Sequence, residues 1–135
     1  MLESVPFYLF AFITIFHVYL GFGAPIQTRY ILPIIQGQPL PFHSLMALPV
    51  AGLLLISTIA FGYEIGFVNN TFLGNYNQIW LALTSGALIF RGLFGFIFFH
   101  LLNKIIDDTE FKTWDLRVYS PLCMYLGVSS FLALT

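Results

Sequence analysis

Arg91 stands at the middle of the stretch "LALTSGALIFRGLFGFIFFHLL", residues 81–102, which is apolar and long enough to cross a bilayer. A guanidinium stays charged at any physiological pH. Arg91 lies about eleven residues from the end of this stretch, roughly 16 Å deep at 1.5 Å per residue. An unpaired arginine there is unfavourable by about 2.5–3.5 kcal/mol on insertion scales. It therefore needs acceptors: tyrosine and serine hydroxyls, main-chain carbonyls and water, or the head of a bound ligand. Its useful chemistry would be to hold a carbonyl or anionic head, or to stabilise a developing negative charge.

Four other residues could do chemistry. His17, in the first apolar segment, could act as a general base, a proton shuttle or an axial ligand. His100 is the only other histidine within an apolar segment. On straight helices the two differ in depth by roughly 4–5 Å, which makes a bis-histidine haem awkward. Cys123 is the single cysteine. It excludes an intrachain disulfide and a multi-cysteine metal site, and is expected as a packing residue. Glu64 is the only acid within an apolar segment, near its end, and Asp107, Asp108, Glu110 and Asp115 are expected at or beyond the membrane surface. On that placement no carboxylate reaches the depth of Arg91.

The elements that must position these groups are helices. Of 135 residues, 59% are hydrophobic and 8% charged, against about 25% charged in soluble domains. A net charge of -1 without a basic tract offers nothing to nucleic acid. The spacing predicts an all-α fold, one domain over 1–135, with four transmembrane helices in a bundle at about 5–22, 44–67, 79–102 and 118–134. Lipid cannot satisfy open backbone groups, and the alternation of barrel strands is missing. "MLESVPF" has no basic residue ahead of its apolar run, so that run is expected as a retained span rather than a cleaved signal. Polar or small residues recur at helical spacing: Thr14, His17, Gly21 and Ala24; Thr84, Ala87, Arg91 and Gly95; Ser120, Cys123, Gly127 and Ser130. These stripes predict one bundle interior, with Phe and Leu turned to lipid.

Arg29 lies in the first connection and Lys104, Lys112 and Arg117 in the third. With four spans these share a side, which the positive-inside rule assigns to the cytoplasm, with both termini outside. The first connection, "GAPIQTRYILPIIQGQPLPFH", is too long for a hairpin and too apolar for a free loop. It is expected to lie in the interface, held by Arg29 and Tyr30 at headgroup level. Trp114 is expected as an interface anchor.

Three ordered stretches, "HVYLGFG" (His17 to Gly23), "RGLFGF" (Arg91 to Phe96) and "WDLRVYSPLC" (Trp114 to Cys123), resemble a family of small four-span bacterial membrane proteins, the domain of unknown function numbered three-nine-nine-five. The resemblance covers nearly the whole chain and implies an inner-membrane protein of unestablished function. Carried over residue by residue, it marks His17, Tyr19, Gly23, Arg91, Gly95, Asp115, Tyr119, Ser120 and Pro121. Leu20 stands where the family has an aromatic residue. Phe96 stands where an acidic residue often follows the glycine, which removes a natural partner for Arg91.

Together these readings favour a non-enzymatic membrane module of the bacterial inner membrane. It would bind a lipid or quinone-like molecule, or serve as accessory subunit or homodimer, through a polar cavity in the cytoplasmic half. The expected ligand-binding residues are His17, Tyr19, Arg91, Gly95, Tyr119 and Ser120. The cofactor is unknown, and no metal site or catalytic residue is assigned. The alternatives are a membrane redox protein or enzyme built on His17 and Arg91, and a dimeric transporter built on Glu64.

Overall fold

The computed structural model describes residues 4–23, 34–35, 38–39, 43–101 and 110–135. Helix α1 spans Ser4–Gly21, a 3-10 turn at Ser44–Met46 leads into α2, Ala47–Glu64, and α3 spans Asn77–Leu101. A fourth rod runs over residues 110–133 as α4, Glu110–Trp114, a π-helical turn, Asp115–Tyr119, and α5, Ser120–Ala133. The described residues also hold a 3-10 turn ahead of α3, Gly74–Tyr76, and a two-rung antiparallel ladder, Ile34–Ile35 (β1) with Gln38–Pro39 (β2). The fold is all-α. Expectations for Arg29, Tyr30, Lys104, Asp107 and Asp108 lie outside the described residues.

Sequence explains where these helices start and stop. Pro6, Pro49 and Pro121 each sit in the first turn of α1, α2 and α5, where the missing amide hydrogen matters least. At the end of α2, Gly66 adopts a left-handed φ of 78°. That lets the amides of Phe67 and Val68 fold back onto the Gly62 carbonyl at 2.7 and 3.0 Å.

Three of the helices are long and apolar enough to cross a membrane: Ser4–Gly21, Ser44–Glu64 with its 3-10 entry turn, and Gly74–Phe98 with its own. The chain is thus an integral membrane protein. The fourth rod differs from expectation in two ways. It begins at Glu110 rather than Val118, because no glycine or proline interrupts "EFKTWDLRVY". Its regular α-helical part is only 14 residues, about 21 Å at 1.5 Å per residue. The π turn is closed by the Ser120 amide donating to the Asp115 carbonyl, five residues back. Proline at 121 has no amide to give and crowds the carbonyl four residues earlier; the widened turn just ahead of it relieves that crowding.

Neighbouring rods run antiparallel. Thr14 meets Thr58 at 3.3 Å across α1 and α2, Ser57 meets Thr84 at 2.9 Å across α2 and α3, and Ser85 donates to the Gly127 carbonyl at 2.7 Å across α3 and α5. The closest packing is within two pairs, α1 with α2 and α3 with α5. A small apolar core of Phe10, Phe61, Leu81 and Leu126 joins them. Phe12, Ile15, Leu83, Phe90 and Phe131 are exposed, as the lipid-facing expectation requires.

The buried stripe of α5 is as expected at Ser120, Gly127 and Ser130, with Cys123 half-buried. On α3 the stripe is rotated. Gly95 is buried as expected, but so are Leu81, Ser85 and Gly92, while Thr84 is half-buried and Ala87 exposed. Gly127 explains the rotation: a Cβ there would lie 2.7 Å from Ile89 Cγ1 and 2.9 Å from its amide nitrogen. Helices in lipid gain from such close backbone approach, so the smallest faces turn inward.

Candidate functional site

Arg91 lies ten residues from the end of α3, about 15 Å along its axis. Its Nη2 donates to Asp115 Oδ1 at 2.5 Å, and Nη1 makes a long contact of 3.5 Å with Ser120 Oγ. Ser120 Oγ in turn donates to Asp115 Oδ2 at 3.2 Å. Asp115 and Ser120 are both fully buried. The carboxylate therefore has a bond on each oxygen, as a buried charge requires.

This overturns the expectation that no carboxylate reaches Arg91. A fourth span starting at Val118 leaves Asp115 at the surface. With the helix beginning at Glu110, Asp115 falls inside the bundle. The π turn begins at Asp115, and Ser120 follows that turn immediately, so the carboxylate and the hydroxyl meet the guanidinium together. Phe96 thus leaves Arg91 with a counter-ion after all, supplied by a different helix. Such turns often occur at functional positions.

Gly95 makes room for the cluster. A Cβ there would overlap Ser120 Oγ, lie 2.7 Å from Asp115 Oδ2 and 3.1 Å from Arg91 Nη1. Gly92, one turn away, lets Met124 and the Ser120 carbonyl approach similarly.

The structure brings together Arg91, Gly95 and Ser120 of the expected residues, and adds Asp115. Tyr119 is half-buried in the π turn beside them. His17 and Tyr19 are not part of this cluster. His17 Nδ1 bonds the Ile13 carbonyl of its own helix at 2.8 Å, Tyr19 is exposed, and no hydrogen bond or ion pair among the described residues joins either to Arg91. Tyr125, in the middle of α5, lines a different cavity together with Glu64. Among the described residues no group of three or more His, Cys, Asp or Glu side chains could hold a metal ion.

Arg91 also borders a groove of about 460 Å³ between α2 and α3. Its walls include Leu53, Leu54, Trp80, Leu83 and Ala87. Sequence reasoning expected a polar hollow flanked by His17 and Tyr119; the groove at Arg91 is apolar, and neither of those residues lines it. The reason is the rotation of α3, which turns Thr84, Ala87 and Arg91 toward α2 rather than toward α1. A short polar relay crosses the groove floor: Trp80 Nε1 donates to Ser57 Oγ at 3.1 Å, and Ser57 bonds Thr84.

The arrangement defines a class: a helical integral membrane protein whose third helix carries an arginine neutralised by a buried aspartate from the next helix, beside an apolar groove. The chain matches, over residues 10–130, a family described as a protein of unknown function (DUF3995), and it belongs to that family. No curated protein and no solved structure matches it.

Proposed function

We propose that this protein is a non-enzymatic, four-span module of the bacterial cytoplasmic membrane, with both termini outside, that binds a lipid-soluble molecule bearing a neutral carbonyl. The fourth span is the rod over residues 110–133, and the cation-bearing connections face the cytoplasm. The carbonyl accepts from the Arg91 guanidinium, and the apolar body lies in the groove between α2 and α3. Lipid ester carbonyls and quinones share this chemistry.

One observation carries the reading. Arg91 has five N–H donors, of which two nitrogens are engaged by Asp115 and Ser120, and its side chain is still 40% exposed at the groove. The charge is already balanced by Asp115, so the spare donors suit a neutral acceptor better than a second anion. A volume near 460 Å³ falls within the ~300–1,000 Å³ of small-molecule sites.

Trp80 in the groove wall reports occupancy. In a Trp114→Phe background in nanodiscs, decylubiquinone should quench Trp80 emission saturably, and a phosphatidylcholine brominated on its acyl chains should do so if a lipid is the occupant. Ala87→Phe, which fills the groove without touching the ion pair, should weaken the saturable component at least tenfold. Linear quenching, unchanged by Ala87→Phe for both probes, would sink the proposal.

A further inference from the structure

The opposite end of the bundle holds a second cavity, of about 470 Å³, where α1, α2 and α5 meet. Its polar groups are Glu64, Tyr125 and Ser129, and its apolar walls include Pro6, Phe61 and Leu132. Glu64 Oε1 accepts a hydrogen bond from Asn77 Nδ2 at 2.7 Å, and Asn77 itself is buried. Because that amide also donates to the Ala60 carbonyl, it is fixed, and it fixes the carboxylate. Among the described residues nothing donates to Glu64 Oε2, and Asn77 Oδ1 is buried without a hydrogen bond.

The cavity lining is therefore selective in sign. Among the described residues it carries one carboxylate and two hydroxyls, with no Lys, Arg or His. A carboxylate partly removed from water seeks a cation. An ammonium offers three donors and no acceptor, matching Glu64 Oε2 and the hydroxyls of Ser129 and Tyr125. The ring of Tyr125 can add cation–π attraction. The geometry points to a second binding site at Glu64 that takes a primary ammonium carried on a small apolar body. It is separate from the Arg91 groove in both position and charge, and does not depend on what that groove binds.

Phenethylammonium is a suitable probe, measured by isothermal titration calorimetry against the full chain in nanodiscs with empty discs subtracted. One saturable site per chain is expected. The uncharged isostere 2-phenylethanol should bind at least tenfold more weakly. Glu64→Gln keeps an acceptor for Asn77 while removing the charge, and should weaken phenethylammonium at least tenfold. Ser129→Phe fills the cavity and leaves Glu64 in place, so it should abolish binding even if the first variant proves unstable. No heat above that of empty discs for the wild type, equal affinity for the alcohol, or full affinity in either variant would overturn the assignment.

Discussion

Ser120 Oγ occupies the space that a Cβ on Gly95 would fill. The two residues sit on facing helices, and their contact brings the Asp115 carboxylate within reach of Arg91. Adding a methyl group at 95 must push the fourth rod away. Gly95→Ala is expected to destabilise the protein by about 1–3 kcal/mol, the usual range for overpacking. Ser120→Gly in the same chain removes the obstructing atom and should recover part of that loss. A double-mutant cycle read by unfolding in mixed micelles checks this; additive effects would contradict the contact.

Arg91→Leu leaves a buried carboxylate without its counter-ion. Breaking such a pair is worth about 3–5 kcal/mol, and the lower end applies here because the arginine side chain is 40% exposed. Replacing both residues, Arg91→Leu with Asp115→Leu, should be milder than Arg91→Leu alone, since no unpaired charge remains. Unfolding midpoints of the three proteins give the order directly.

Ser57 accepts from Trp80 Nε1 and also bonds Thr84. Ser57→Ala strands the indole hydrogen. The expected loss is about 1 kcal/mol, with a blue shift of Trp80 emission in the Trp114→Phe background. An unchanged spectrum would mean that the indole does not meet this hydroxyl.

Four crossings place Ser4 and Thr135 on the same side, whereas three place them on opposite sides. With Cys123→Ala as background, single cysteines at Ser4 and at Thr135 should react with a membrane-impermeant maleimide from the outside in intact cells. A cysteine at Lys112 should react only after lysis. Labelling of Thr135→Cys only after lysis, with Ser4→Cys labelled from outside, would remove the fourth span.

The membrane class, the family and the inward stripe of α5 were legible in composition and spacing, since apolar length and small residues report directly on lipid and close packing. The rotation of α3 was not. Thr84, Ala87 and Arg91 share a stripe with Gly95 as readily as Leu81, Ser85 and Gly92 do, and the choice depends on what α5 presents. Asp115 was missed for a different reason. Hydropathy sees its charged neighbours, Lys112 and Arg117, and ends the apolar segment there, but hydrogen bonding in "EFKTWDLRVY" continues the helix regardless. The motif "WDLRVYSPLC" marked the right residues, while depth arithmetic alone set Asp115 outside.

The sequence separation of the ion pair, 24 residues, orders events during synthesis. Arg91 leaves the ribosome first, while its counter-ion is still inside the exit tunnel. A solitary third helix at that moment faces the insertion penalty of about 2.5–3.5 kcal/mol, and Asp115 would face a comparable one alone. Both penalties fall away once the two segments sit side by side. On the proposed four-span reading, the nascent chain is therefore favoured to partition as a hairpin, its third helix waiting in the translocon for the fourth.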